Sequence, residues 1–336
     1  MRILVLYNIV KKLENRAEKD LLCEKDIIVT AKEVGKALSD MGHRVDYLTA
    51  NDNLYENLKK IKRNIDIVFN LAEGITSDTD KEIYIPMILD LLDIPYTGSS
   101  GFAINTAYNK VLVKNIAQAY NILTPRFCLY RRKEEAKKNN LKFPQFVKPQ
   151  RGAGGIGINN KSVVNSQEEL EKQVNFILDN YKKSALVEEF IDGDEITVTI
   201  LGNYPNLTFL PPVGITFQEL PKRTHPIFSY EAKWIPESKI YKNYTPIPNP
   251  KIKSAALNNL KTAAVQIYQT VNVRDYGRLD FILKNDKLYF LEINPNPDIS
   301  ESDLHCPITA AFLAQKMTYH NLIKTILESA MMRYNK

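Results

Sequence analysis

Short apolar runs alternate with stretches of helical spacing through the first hundred residues, and this alternation restricts the fold more than any other feature of the chain. Ile3–Tyr7 reads as a buried strand, and residues 25–41 as a helix with Ile28, Ala31, Val34 and Leu38 on one face, stopped at Gly42. Arg44–Leu48 and Ile65–Asn70 read as further strands, and Asp52–Lys62 and residues 81–92 as further helices. A crossover helix returns the chain to the end of the sheet where it started, so such strands pair in parallel and helices cover both faces. Parallel sheets of this kind bind ligands beyond the carboxyl ends of their strands. Asn70-Leu-Ala-Glu73-Gly74 falls at such an end, and Pro95-Tyr-Thr-Gly-Ser-Ser-Gly101 is a loop that closes the unit.

Beyond it the pattern changes. Helical spacing covers about 103–119. Arg126–Tyr130, Gln145–Lys148, Leu186–Phe190 and Ile196–Leu201 then read as strands, with a single helix near 166–182 between them. Ser166-Gln-Glu-Glu169 spells a capping box at the start of that helix. Strands without crossover helices pair mostly antiparallel, so the middle of the chain is α+β. Residues 220–250 are rich in proline and polar residues, with little periodicity; a long irregular stretch inside a compact protein is usually functional or disordered. An amphipathic helix over 252–271, strands at 276–284 and 287–293 joined by a short turn, and a helix over about 318–333 complete the chain. At 336 residues there is material for two or three packed lobes.

A formal net charge of +6 is modest, and basic clusters such as Arg131-Arg132-Lys133 lie among acids and helix formers. They read as solvated faces, so no nucleic-acid partner is expected, while a mild basic excess suits a polyanionic ligand such as a nucleotide. Cys23, Cys128 and Cys306 are far apart and lack C-x-x-C spacing, which argues against a disulfide framework and for a reducing compartment. The first apolar run is too short for a signal peptide or a membrane span, and no later run is long enough, so a cytoplasmic protein with no membrane partner is expected.

Three segments carry chemistry. In Phe146-Val-Lys148-Pro-Gln-Arg-Gly152-Ala-Gly154-Gly155-Ile-Gly157, the glycines formally match G-x-G-x-x-G. A dinucleotide fold would place a helix directly after them, but Asn159-Asn-Lys161 and the β-branched Val163-Val164 follow. The segment therefore reads as a glycine-rich loop between antiparallel strands, whose bare amides close over phosphates that Lys148 neutralises. Its alternative is a glycine hairpin beside a surface lysine. The Walker pattern is absent. In Leu186-Val-Glu188-Glu189-Phe-Ile191-Asp-Gly-Asp-Glu195, a strand turns into another strand; backbone groups there can pair with an adenine edge and an acid can hold ribose hydroxyls, or the segment is simply an acidic hairpin. The third segment is Arg278-Leu-Asp280-Phe with Leu288-Tyr-Phe-Leu-Glu292-Ile-Asn294-Pro. Strand period two puts Arg278 with Asp280 on one face, and Glu292 with Asn294 on one face. Two carboxylates and an amide oxygen suit Mg²⁺, and grouped acids on an apolar strand repel one another without a cation. Arg278 beside them can stabilise phosphoryl oxygens in transfer.

In this order and spacing the three segments resemble the ATP-grasp superfamily, and within it the D-alanine–D-alanine ligase family, over nearly the whole chain. The resemblance implies an ATP-grasp fold of mixed α/β and α+β class. An N-terminal parallel-sheet lobe (1–97) would precede two α+β lobes clasping ATP, a central one with the glycine-rich loop (98–187) and a C-terminal catalytic one with a mobile loop (188–336, loop 220–245). It implies Lys110, Lys148, Gly154 and Gly155 at the phosphates, Glu188, Glu189 and Ile191 at the adenine and Glu195 at the ribose. Asp280, Glu292 and Asn294 would hold Mg²⁺, with Mn²⁺ as the alternative ion. Arg278 and Lys233, the latter in Tyr230-Glu-Ala-Lys233-Trp, would act on the transferring phosphoryl group. Glu73, Tyr230, Asp298 and Ser302 or Asp303 would meet the substrates, and a homodimer would be in keeping with the family. The chain also departs from the family pattern. Glu73-Gly74 stands where the family has histidine-glycine, and the family's N-terminal glutamate has a counterpart near Glu24. Asp298 stands where a glycine amide approaches the reacting carbonyl, and Ser302 or Asp303 where a serine binds a carboxylate.

The activity implied is an ATP-dependent ligase that joins a carboxylate to an amine through an acyl phosphate, with amino acids or peptides as substrates. A strict D-alanine–D-alanine ligase and a nucleotide-binding protein without turnover are the alternatives. No Ser-His-Asp or Cys-His pattern is present, and His43, His225, His305 and His320 lack metal-ligand spacing and read as surface or packing residues.

Overall fold

A computed structural model describes residues 1–9, 23–76 and 79–334. The side chain of Glu24 lies outside the described residues.

The chain opens with β1 (Arg2–Tyr7), α1 (Cys23–Asp40), β2 (Arg44–Thr49), α2 (Leu54–Ile61), β3 (Ile67–Asn70) and α3 (Tyr84–Leu91). The strands form a parallel sheet in the order β2-β1-β3, as the strand–helix alternation predicts. Helix α3 starts later than its apolar spacing indicates, because Thr79–Lys81 is wound as a 3₁₀ turn. At the carboxyl end of β3 the Asn70 side-chain oxygen accepts the Ala72 N–H at 3.2 Å and turns the chain.

The helical stretch near 103–119 is two helices, α4 (Gly101–Tyr108) and α5 (Lys110–Ala119). Asn109 interrupts them: it leaves the helical region (φ −88°, ψ 87°) and its side chain caps α5 by accepting the Leu112 N–H. Asparagine gives up little by leaving a helix, because its amide satisfies the freed backbone donor. The second sheet has the order β4-β7-β5-β6 and is antiparallel throughout. It contains β4 (Phe127–Tyr130), β5 (Gln145–Pro149), β6 (Val163–Val164) and β7 (Ala185–Glu189), covered by α6 (Gln167–Tyr181). The Ser166 hydroxyl accepts the Glu169 N–H at 3.2 Å, as the capping box requires, but the returning Glu169 carboxylate takes the N–H of Asn165 at 2.7 Å.

The third sheet follows the order β11-β10-β8-β12-β13, with β9 also paired to β8. Its elements run β8 (Asp194–Asn203), β9 (Asn206–Phe209), β10 (Val213–Phe217), α7 (Tyr230–Trp234), α8 (Lys239–Asn243), β11 (Tyr244–Pro248), α9 (Ser254–Thr270), β12 (Tyr276–Lys284) and β13 (Lys287–Asn294). Helices α10 (Pro307–Ala314) and α11 (Tyr319–Tyr334) end the described chain. The stretch 220–250, irregular by sequence, thus contains two short helices capped by Ser229 and Ser238 and an edge strand. Pro246 and Pro248 hide that strand from a propensity reading, yet an edge is where proline does least harm to a ladder.

The cores show how the sheets are joined. One cluster packs α1, α10 and α11 between the first sheet and the third, through Val5, Phe69, Leu201 and Tyr276. Another packs α4, α5 and α9 on β8, β12 and β13, so α5 reaches Glu188 of the second sheet through Lys114 while its apolar face belongs to the third. Arg333 of α11 pairs with Asp275 at 2.6 Å and donates to the Tyr96 carbonyl, pinning the last helix to the first unit. No helix among the described residues is long and apolar enough to cross a membrane.

Candidate active site

Strands β12 and β13 bring the third segment's polar groups together. Arg278 faces Asn294, and Asp280 faces Glu292, across the ladder. The Arg278 guanidinium donates twice to Asp280, at 2.8 and 2.9 Å, and the Asn294 amide donates to the same carboxylate at 3.1 Å. A register shift follows Asp280: Phe281 pairs with Phe290, leaving Leu291 as the extra residue of a bulge. Phe290 and Ile293 therefore both enter the core, while Leu291 and Glu292 both line the cleft. Strict alternation would send one of each pair to the wrong side.

On the second sheet, Lys148 of β5 and Glu188 of β7 meet at 3.0 Å, and Lys114 of α5 reaches the other Glu188 oxygen at 2.6 Å. All three side chains are within 5% of complete burial. Burial pushes the Lys114 amine down to about 8 against the pull of Glu188. Burial also lowers Lys148, but the carboxylates of Glu188 and Glu292 outweigh it and raise the group. Lys114 is absent from the sequence reading; its signal is a lysine four residues after Lys110, on the face of α5 that burial requires to be apolar. Lys110, placed at the first turn of α5 by the break at Asn109, donates to the Gly152 carbonyl and stands 3.7 Å from Glu292. Burial lowers its amine to about 8. Glu292 is held down at about 2, the lysine charges overcoming its burial.

These groups surround a cleft enclosing about 1040 Å³, part of it open to solvent. Glu188, Glu189, Ile191 and Glu195 line it on the side of the linker between β7 and β8, and Gly155 on the side of the glycine-rich loop. In that loop Gly155 has φ +75°, and a Cβ there would lie 3.1 Å from the Tyr230 nitrogen, so only glycine lets α7 approach this closely. The loop and α7 are bonded directly: Tyr230 N–H donates to the Ile158 carbonyl at 3.3 Å, and the Trp234 indole N–H to the Gly154 carbonyl at 2.9 Å. Lys233 projects from α7 over the Phe228 ring at 4.2 Å, and burial lowers its amine.

A second chamber of about 770 Å³ shares Lys233, Ala153 and Phe228 with the first, so the two meet at Lys233. Gly154, Arg278, Asn294, Glu73, Asp298 and Asp303 line it. Tyr230 and Ser302 are not in its wall; Ser302 sits beside α1, its N–H donating to Glu33 at 3.1 Å. Between Ser302 and Asp303, the structure thus puts Asp303 in the chamber. Asp298 also lines it, while its carboxylate accepts from Thr30 and from the Ser300 N–H, both at 3.2 Å. His305, read from sequence as a surface or packing residue, lines the same chamber, its ring 4.3 Å from that of Tyr241. Cys306 is buried there, its thiol pushed up to about 12 by burial and by Asp298.

The donor set suits a hard divalent cation. Burial first, and then the charges of Asp280 and Glu292, raise the nearby Glu195 carboxyl to about 7. Among the described residues no three His, Cys, Asp or Glu side chains gather as a closed metal cage. Two carboxylates and an amide match instead an ion that keeps waters and shares a phosphate.

A family model described as "D-ala D-ala ligase C-terminus" matches residues 116–328. The chain is 31% identical to an uncharacterised protein, y4sG, of Sinorhizobium fredii, over 90% of this chain and 88% of that protein. It is 30% identical to the D-alanine–D-alanine ligase of Carboxydothermus hydrogenoformans, over 89% of this chain and 91% of the relative. In fold it matches the Bacillus anthracis D-alanine–D-alanine ligase complexed with ATP, with a TM-score of 0.75 and 20% identity over 99% of this chain and 97% of that one. The VanG D-Ala:D-Ser ligase of Enterococcus faecalis matches with a TM-score of 0.73 and 17% identity, over 98% and 99% of the two chains.

Proposed function

This chain belongs to the D-alanine–D-alanine ligase family of ATP-grasp enzymes, and on that premise we propose how its residues divide the work of an ATP-dependent carboxylate–amine ligase. The reading rests above all on the junction of the two chambers at Lys233, where a nucleotide's terminal phosphate in the first meets a carboxylate in the second. ATP lies in the first cleft. Its adenine is held by the linker around Glu189 and Ile191, beside the buried Glu188, its ribose by Glu195, and its phosphates by Lys110, Lys148 and the amides of Gly154 and Gly155. The carboxylate oxygen attacks the γ-phosphorus, ADP leaves, and an acyl phosphate remains. The amine nitrogen then attacks the carbonyl carbon, the carbonyl–phosphate bond breaks, and inorganic phosphate departs as the amide forms. Lys233 and Arg278 neutralise the phosphoryl oxygens through both steps, and α7 over the glycine-rich loop keeps water from the acyl phosphate. Asp280, Glu292 and Asn294 would hold Mg²⁺, or Mn²⁺, which supplies Lewis-acid charge at the phosphates. The lobes 1–97, 98–187 and 188–336 are the working division, and a homodimer in the cytoplasm is the proposed assembly.

The substrates are small amino-acid-like molecules, held in the second chamber between Glu73 of the first lobe and the Asp298–Asp303 loop, with Tyr230 backing the glycine-rich loop. The test is ADP release from ATP against a panel of D- and L-amino acids and amines, with mass spectrometry of the product. Amino-acid-dependent ADP release with a condensation product supports the ligase; nucleotide binding without turnover on any panel member rejects it. Asp280→Asn and Glu292→Gln should each abolish turnover with the fold intact by circular dichroism. A near-normal rate in either variant would remove the metal assignment.

A further inference from the structure

A ligase of this kind has a proton to dispose of. An α-amino group is mostly an ammonium ion at neutral pH and cannot attack until that proton is gone. Lys233 and Arg278, the cationic side chains at the junction, are donors that serve phosphate and not bases for this purpose; Arg278 is moreover locked to Asp280. Deeper in the second chamber the loop before α10 supplies a different group. His305 lines the chamber, with the Asp303 carboxylate 4.0 Å from its Nδ1 and the Asp303 Oδ1 also accepting the His305 backbone N–H at 2.9 Å. The ring packs against Tyr241 of α8, at 4.3 Å, and Tyr244 of β11, at 5.7 Å. The Tyr244 hydroxyl donates to the His305 carbonyl at 3.0 Å and fixes the loop beneath the ring. Of the other titratable groups on that loop, Asp298 accepts from Thr30 and from the Ser300 N–H, Glu301 is exposed, and burial pushes the Cys306 thiol up, so no thiolate competes for the role. An imidazole beside a carboxylate, packed against aromatic rings and lining a cavity, is the arrangement of a positioned base.

We propose that His305, oriented by Asp303, accepts the proton of the incoming ammonium group. The inference rests on the ligase reading above. The step balances as follows: the ammonium N–H bond breaks, its proton goes to the imidazole nitrogen, and the electron pair left on nitrogen forms the C–N bond to the acyl phosphate. The C–O bond to phosphate breaks with its electrons on the leaving oxygen. The second proton lost by nitrogen goes to the departing phosphate, which leaves as hydrogen phosphate. The acceptor class that fits is a primary ammonium without a free carboxylate beside it, since Asp303 and Asp298 face that end of the chamber.

Hydroxylamine provides the test, because it is unprotonated at neutral pH and needs no base to attack an acyl phosphate. The carboxylate probe is the amino acid that gives wild type the most hydroxamate. The amine probe is the panel amine that gives the fastest ADP release. In His305→Gln, hydroxamate formation should stay within about twofold of wild type, while amide formation at pH 7 should fall about 100-fold, the scale of a lost general base. The deficit should shrink towards about pH 9, where the amine sheds its proton unaided. Asp303→Asn should show a smaller loss in the same direction. An equal fall with both nucleophiles, or no fall with either, overturns the proposal and leaves the ligase intact. Failure of wild type to form hydroxamate from any amino acid overturns the ligase reading itself, and this proposal with it.

Discussion

Three buried lysines sit close together around one glutamate pair, and their partners separate their roles. Lys110 contacts a loop carbonyl and Glu292 at the rim of the cleft, and Lys148 lines the same cleft. Replacing either with alanine should weaken ATP binding by about 1.5–3 kcal/mol, the scale of a charge-assisted hydrogen bond, as read by calorimetry. Unchanged nucleotide affinity in both variants would contradict the assignment. Lys114 is wholly buried against Glu188 and does not line the cleft. Lys114→Met removes one of the two cations on the buried Glu188, which keeps Lys148, and should cost about 1.5–3 kcal/mol in urea unfolding, the scale of a hydrogen bond to a charged group. Of these residues the sequence marks Lys148 by its place before the glycine-rich loop and Lys110 through family resemblance, but not Lys114. A lysine within a helical apolar stripe looks like a flaw in the pattern until the glutamate across from it is known. His305 is hidden for the same reason, since its partners Tyr241 and Tyr244 come from a segment over sixty residues upstream.

At the level of elements, strands and helices with clear periodicity are legible, and those shaped by proline or by a single polar residue are not. The apolar runs of β1, β12 and β13 mark them as strands, whereas β11 carries two prolines and α10 is a short apolar run with no polar face to give it a period. The split between α4 and α5 turns on one asparagine, and the bulge at Leu291 leaves no mark in composition. Both irregularities matter to the site, because one aims Lys110 and the other turns Glu292 into the cleft. The segment around α7 is marked by its lack of pattern as functional or disordered, and as a mobile loop only through the family resemblance of Tyr230–Trp234; its docking on the glycine-rich loop is not legible. Hydrogen bonds from Tyr230 and Trp234 hold that contact, and Asn160 adds two more by donating to the Arg223 carbonyl and accepting the His225 N–H; at about 1 kcal/mol each they should let the lid open without ligand. Trp234 is the sole tryptophan, and its emission should shift, with protease cleavage in 220–245 slowed, when ATP and the panel's best substrates saturate the protein. Emission and cleavage unmoved by saturation would contradict a closing lid.

Taken whole, the molecule joins its first unit to its last through a shared core, and the substrate chamber is built where they meet. Glu33 of α1 accepts the N–H groups of Glu301 and Ser302 at 2.7 and 3.1 Å, so the first lobe shapes the loop that carries Asp298, Asp303 and His305. The acids lining that chamber are the ground for proposing a substrate other than the family's namesake. A free α-carboxylate beside Asp303 is repelled. With D-alanine in both roles, kcat/KM should therefore stay below about 10⁴ M⁻¹s⁻¹, the lower end of common enzyme efficiencies, and a value above it in steady-state assays would restore the ordinary family substrate. The claim on which every other depends is that a substrate carboxylate is activated by phosphoryl transfer. Supplying the carboxylate probe with both oxygens labelled as ¹⁸O tests it directly, by mass spectrometry of the phosphate released. The account predicts ADP and one labelled oxygen in each inorganic phosphate formed; AMP with pyrophosphate, or phosphate free of label, would contradict it.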